Sequence, residues 1–266
     1  MRRLILVGDG RFRTFRNLWA LEELAAHGVQ YEQKVCMPRS AEATAVNPFG
    51  KVPSLVDHDI DNSKDAAATS PFVMYESAAI NTYLGDKYRS KTALGGLELV
   101  PSPCTNKRGL YEQLCYSIMT EIDAQGLWIH RKHESLGKVF GSCPDAVKHA
   151  CDHTLNVVRT LSKEHLLKSP TAAATTSSAK EGDCPLQSTY LMGDSFTAAD
   201  ILFVHCLDWA ESIGWMSLWI DKNCDDPSLV VLKNEYLPLC RERPAYQRAT
   251  KIMKDNIAQQ RRAAKL

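Results

Sequence analysis

A chain of 266 residues, 44% hydrophobic and 24% charged, has the composition of a folded globular protein with room for one large domain or two ordinary ones. With 32 basic and 31 acidic side chains its formal net charge is +1, which excludes a whole-molecule field that would draw in nucleic acid or an anionic membrane. No apolar run approaches a membrane span or a signal-peptide core, and nine cysteines without a CxxC pair exclude a disulfide framework and a paired-cysteine zinc site. The expected location is therefore cytoplasmic. Arg261, Arg262 and Lys265 near the end of the chain read as a solvated tail.

Leu4 to Val7 is a short apolar run ended by Gly8 and Gly10, and predicts a buried strand. Thr14 to His27 changes to helical spacing, with Leu18, Leu21 and Ala25 on one face, Thr14 as the expected N-cap and Gly28 as the stop. Tyr31 to Cys36 predicts a second strand, so these pieces form a βαβ unit with parallel strands. Asn47-Pro48-Phe49-Gly50 is a turn, and Val52 to Val56 is a strand whose proline suits a strand entrance or an edge. After a polar, alanine-rich insertion from His58 to Ser70 come a strand at Phe72 to Tyr75 and a helix at Glu76 to Tyr88. The order is βαβ, a connection, then ββα.

Residues 90–104 read as an interdomain linker, which divides the chain into a first domain at 1–89 and a second at 105–266. The second domain is predicted to be all helical, with helices near Asn106 to His133, Pro144 to Leu167, Ala198 to Ile213, Leu229 to Leu239 and from Pro244 onward. Residues 169–188, rich in Ala, Thr and Ser, lack the apolar side chains to order themselves and predict a loop. Phe196-Thr197-Ala198-Ala199-Asp200-Ile201 has the form of a capping box with a hydrophobic staple, so Asp200 reads as a folding residue rather than a catalytic acid. His149 and His153 are four apart on a helix, without an evident third ligand, and read as a solvated face rather than a metal site.

Three segments bear on function: Phe15-Arg16-Asn17-Leu18-Trp19-Ala20-Leu21-Glu22-Glu23-Leu24, Asn47-Pro48-Phe49-Gly50-Lys51-Val52-Pro53, and Tyr75-Glu76-Ser77 leading into Ala78-Ala79-Ile80. In this order and spacing the chain resembles the glutathione S-transferase family, especially its bacterial and theta-like members, whose segments read FRVLWxLEEL, NPxGKVP and ESxAIxxYL. The resemblance implies an α/β thioredoxin-like N-terminal domain that binds glutathione and an all-α C-terminal domain. It implies a cis bond between Val52 and Pro53 that presents Val52's backbone N–H and C=O to the cysteinyl part of glutathione. Ser77 and the helix N-terminus would hold the γ-glutamyl carboxylate, Glu76 its ammonium, and Lys51 the glycyl carboxylate.

The family activates the bound thiol with a hydroxyl near the start of the first helix. The serine that theta-like members place there is replaced here by Arg11 and Phe12. Thr14 is the nearest hydroxyl, and Arg13 or Arg11 offers charge, so Thr14 and Arg13 are the candidate catalytic residues. No cysteine lies between Gly8 and Trp19, which sets aside glutaredoxin-like chemistry. The expected activity is transfer of glutathione, as substrate, to a small electrophile by a homodimer without a metal. The alternatives are a non-catalytic scaffold on the same fold and a glutathione-dependent isomerase or dehalogenase.

Overall fold

A computed structural model describes residues 4–59, 70–93, 95–167, 189–223 and 225–263. Most of the predicted insertion at 58–70, and all of the predicted loop at 169–188, lie outside the described residues. The chain divides into two compact units, residues 1–99 with 242–266, and residues 100–241.

The first unit contains β1 (Leu4–Val7), α1 (Thr14–Ala25), β2 (Glu32–Lys34), α2 (Ala41–Val46), β3 (Ser54–Asp57), β4 (Phe72–Tyr75), α3 (Ser77–Lys87) and α4 (Arg89–Ala93). Its sheet has the order β2-β1-β3-β4, with β1 and β2 parallel and the other two pairings antiparallel. This mixed sheet with its helices is the thioredoxin-like domain that the resemblance implied. β2 is shorter than expected, and its exposed Glu32 and Lys34 suit an edge strand. The short helix α2 was not anticipated; the Ser40 hydroxyl caps it by accepting from the Ala43 amide at 3.3 Å. At the far end of β3, buried Asp57 accepts from Tyr83 Oη at 2.7 Å and pairs with Lys87, which ties α3 to the sheet.

Among the described residues, the regular structure of the second unit is helical apart from two isolated bridges near Tyr190–Ser195. Its first helical path runs as α5 (Asn106–Ser117), a π-wound stretch at Ile118–Leu127, α6 (Trp128–His130) and a second π-wound stretch at Arg131–Ser135. Then come α7 (Gly137–Phe140), α8 (Pro144–His165), α9 (Ala198–Ser212), α10 (Trp215–Lys222) and α11 (Pro227–Val231). The last path continues through a π-wound turn at Leu232–Tyr236 into α12 (Leu237–Arg241). Gly126 lies where the first path meets α8: a Cβ there would come within 2.1 Å of Thr154 Oγ1, so hydrogen alone fits.

α9 is buried on nearly every side, from Ala198 to Val204 without a break. Asp200, 0% exposed, accepts from the amides of Leu191 and Thr197 at 2.9 and 2.8 Å and from Tyr236 Oη at 2.9 Å. It holds three segments together, as a folding residue. The rings of His149 and His153 stack at 6.5 Å, and His153 Nε2 lies 3.0 Å from Glu121.

The last helix, α13 (Pro244–Ala263), belongs to the first unit, whereas the sequence placed it with the helical domain. It packs on α1. There Arg243 forks onto Glu23 at 2.7 and 2.8 Å, and Arg248 reaches Glu22 at 2.7 Å. Tyr246 meets Phe15 and Trp19 edge-on, with ring centroids 5.6 and 4.8 Å apart. With the sheet side and α13 both covered, α1 is buried at every position from Thr14 to Leu24, including its two glutamates.

Candidate functional site

Strand register brings the predicted site residues together. Ser54 pairs with Val7 on one side and with Tyr75 on the other. The segments attached to those residues therefore share one end of the sheet: Gly8 onward after β1, Lys51-Val52-Pro53 before β3, and Glu76-Ser77 after β4. The Val52–Pro53 bond is cis, as expected. Asn47, 2% exposed, shapes the approach to it by accepting from the Phe49 amide at 3.0 Å and donating to the Lys51 carbonyl at 3.0 Å. Lys51 is exposed, with its ammonium 6.0 Å from the Phe49 ring centre, and Phe49 meets Tyr75 edge-on.

Glu76 is exposed at the N-cap of α3 with φ +77° and ψ 110°, a conformation that L side chains seldom adopt and that costs about 1–3 kcal/mol. Glu76→Gly is accordingly expected to raise stability by about 1 kcal/mol in a denaturant titration while removing the carboxylate from the site. An unchanged or lowered stability would refute the strain. Ser77 is buried, and its Oγ accepts from Arg16 Nη1 at 3.2 Å. Because a guanidinium only donates, the Ser77 hydroxyl keeps its own proton for another acceptor. Asn17 donates to the Ser77 carbonyl at 2.9 Å and to Asn81 Oδ1 at 2.7 Å, so α1 fixes the start of α3 from below.

Thr14 is not the N-cap. Arg13 occupies that position with helical angles, and Thr14 is the first residue of α1. The chain is turned upstream instead: the Asp9 carboxylate accepts the Arg11 amide at 2.8 Å and the Asp9 carbonyl accepts the Phe12 amide at 3.2 Å, so the turn is already wound before Thr14. Thr14 Oγ1 is wholly buried and, among the described residues, has no hydrogen-bond partner. It converges with Val52 on Gly8, where an added Cβ would stand 2.5 Å from Thr14 Oγ1 and 2.8 Å from Val52 Cβ; Gly8 also has φ +134°. Thr14 thus lies beside the cis-proline segment. Arg13 is half-buried at the helix start.

Phe12 packs against the cluster of Val7, Cys36, Ala43, Val52 and Val56 and offers no hydroxyl. Burial pushes the Cys36 thiol up, away from thiolate chemistry. Arg11 is committed to Asp9, with Nη2 at 2.6 Å from Oδ2, and to Gln260 on α13 at 2.6 Å. Burial works to raise the Asp9 carboxyl, but hydrogen bonds from Arg11 and Gln260 prevail and hold it below its ordinary value of 3.8. Its contribution to stability is therefore present above that value and is lost as pH falls through the folded-state pKa. Sequence reasoning missed Asp9 and Gln260, since nothing local signals a pairing across 251 positions.

Residues 14–87 match the family model described as "Glutathione S-transferase, N-terminal domain". No curated protein sequence matches the chain significantly. Solved structures resemble it over nearly its whole length. A glutathione transferase from Methylococcus capsulatus strain Bath has 20% identity and a TM-score of 0.64, over 94% of this chain and 98% of that one. Ure2p5 from Phanerochaete chrysosporium, cocrystallized with 1-(S-glutathionyl)-2,4-dinitrobenzene, has 18% identity and a TM-score of 0.67, over 97% and 98%. A glutathione transferase family member from Pseudomonas fluorescens Pf-5, with two glutathione molecules bound, has 18% identity and a TM-score of 0.66, over 92% and 91%. Residues 14–87 belong to the glutathione S-transferase family as its N-terminal domain, and the chain as a whole has that family's fold.

Proposed function

We propose that the protein is a glutathione transferase, which binds glutathione at the strand ends of its first unit and transfers the thiolate to a small electrophile. The convergence of Lys51, the cis Val52–Pro53 bond, Glu76 and Ser77 at one end of the sheet is the observation that carries this reading. The Val52 backbone would bind the cysteinyl amide, while the Ser77 hydroxyl and the first-turn amides of α3 take the γ-glutamyl carboxylate. Glu76 would take the ammonium and Lys51 the glycyl carboxylate. The thiol then points toward the loop that leads into α1.

Thr14 supplies the activating hydroxyl in this mechanism. An orphaned buried hydroxyl costs about 1–3 kcal/mol, and donation to a thiolate would satisfy it. Arg13 and the α1 dipole favour the anion. The thiol proton leaves to solvent, the thiolate attacks the electrophilic carbon, and the leaving group departs with the bonding pair. The conjugate seen with the fungal protein makes 1-chloro-2,4-dinitrobenzene a suitable probe. Exposed Phe49 (66%), Phe72 (45%) and Val73 (38%) give the first unit an apolar surface that supports a homodimer. Unpaired cysteines fit a reducing cytoplasm.

Ser77→Ala should weaken glutathione binding about tenfold by calorimetry, the loss of one charge-assisted hydrogen bond. Thr14→Val should lower turnover while raising stability by about 1 kcal/mol, because it removes both the activating group and the orphan. Turnover that survives in Thr14→Val and in Arg13→Ala would remove both from the mechanism. Phe12 at the hydroxyl position and the engagement of Arg11 by Asp9 favour a second reading, a non-catalytic glutathione-binding scaffold. Glutathione binding without a depressed thiol pKa would establish it; activity only on halogenated or isomerisable substrates would point to a dehalogenase or isomerase. Failure to bind glutathione would sink the transferase, dehalogenase and isomerase readings and leave a scaffold on the same fold.

A further inference from the structure

The loop between β1 and α1 is gripped from outside by one face of α13. Met253, Asn256 and Gln260, spaced three and four apart, point the same way. Gln260 Nε2 donates to Asp9 Oδ2 at 3.0 Å, and Gln260 Oε1 accepts from Arg11 Nη2 at 2.6 Å. Arg11 in turn closes on both oxygens of Asp9, which is 1% exposed. Asn256 Nδ2 donates to Gln33 Oε1 at 3.0 Å, and Gln33 Nε2 donates to the Gly8 carbonyl at 3.0 Å. Met253 covers Gly10 so closely that a Cβ on that glycine would come within 3.1 Å of its Cγ. Three residues of one helix face thus hold Gly8, Asp9, Gly10 and Arg11, the backbone that sets where Thr14 begins.

We propose that Met253, Asn256 and Gln260 form a positioning clamp, which fixes the Gly8–Arg13 loop so that the start of α1 acts on the thiol of bound glutathione. The proposal rests on the transferase reading above for its ligand, but not for the clamp. None of the three residues touches the reacting atoms; each works through the loop.

The test compares full-length wild type with Gln260→Leu and Asn256→Leu. Both side chains are half-exposed, so melting within about 3 °C of wild type is expected and qualifies a variant for comparison. Hydrogen exchange of the unliganded protein should show the amides from Asp9 to Thr14 opening at least about tenfold faster in Gln260→Leu, with α3 unchanged. The pH midpoint of thiolate absorbance for bound glutathione should rise by about half a pH unit or more, while glutathione affinity changes less than about threefold. Gln260→Glu retains the acceptor for Arg11 but sets a carboxylate against Asp9, so it should loosen the loop as Gln260→Leu does. Unchanged exchange at 9–14 in a folded variant overturns the clamp. Faster exchange with an unmoved thiol midpoint leaves only a structural role and overturns the proposal too. If wild type fails to bind glutathione, the transferase reading falls, and the exchange measurement still decides the clamp.

Discussion

Asp200→Ala is expected to destabilise the second unit by about 3–5 kcal/mol, enough to leave much of it unfolded at physiological temperature. The carboxylate is wholly buried and receives the Leu191 amide, the Thr197 amide and the Tyr236 hydroxyl. Alanine removes the acceptor from these three donors and from the Thr197 hydroxyl at 3.2 Å, and each such loss costs about 1–3 kcal/mol. The effects will not simply add, because the donors share one acceptor group. Four of the five tryptophans, Trp128, Trp209, Trp215 and Trp219, belong to the second unit, so urea titration followed by fluorescence reports mainly on it. A loss below about 1 kcal/mol would show that the α9 cap does not organise this unit. Asp200→Asn keeps one carbonyl acceptor but turns an amide toward donors, and should fall between wild type and Asp200→Ala.

Arg243→Ala should cost the first unit about 3 kcal/mol, the usual effect of breaking a buried pair from one side. The Glu23 side chain is 8% exposed and would keep the Trp19 indole N–H, at 3.0 Å, in place of the charged fork. Arg248→Ala should cost less, about 1 kcal/mol, because that arginine is 43% exposed and solvent already screens its pairing with Glu22. The pair Glu23→Leu with Arg243→Met separates the two contributions: if desolvation dominates, the double variant regains most of what Arg243→Ala loses. The emission of Trp19, isolated in a background with the other four tryptophans replaced by phenylalanine, follows unfolding at the contact itself. An Arg243→Ala protein as stable as wild type would mean that the other contacts of α13, Tyr246 and Arg248 among them, dock the helix without this pair.

Local periodicity made much of this fold legible. Leu4–Val7 and Phe72–Tyr75 form strands where predicted, and α8 begins at Pro144, where the sequence places its first turn. Asp200 reads correctly because a capping box is short-range, with cap and partner three residues apart. Local pattern failed where the deciding contact is remote. It placed the N-cap at Thr14 because a threonine ahead of an apolar stripe is the ordinary signal, while Asp9 had already turned the chain. It also assigned α13 by adjacency to the helices before it, since an amphipathic stripe names the need for a partner and not which partner. The π-wound stretches at Ile118–Leu127 and Leu232–Tyr236 were not anticipated.

The candidate site was legible through its motifs in Lys51, Val52, Pro53, Glu76 and Ser77, and register explains why distant segments form one place. What no motif disclosed is the support beneath and around it. Arg16 under Ser77, Asp9 ahead of α1, and Gln260 on the last helix are ordinary polar residues whose roles depend on geometry alone.

The docking of α13 also bears on the order in which the molecule is made. A chain emerging from the ribosome presents α1 early, with Phe15, Trp19, Glu22 and Glu23 lacking the surface they finally face. The residues that cover them arrive about 220 positions later. The second unit is complete once residue 241 has been made, so the unit that is synthesised first is completed last. Until then α1 carries Glu22 and Glu23 without their arginines and an indole without its cover, which makes the nascent first unit a natural client for chaperones.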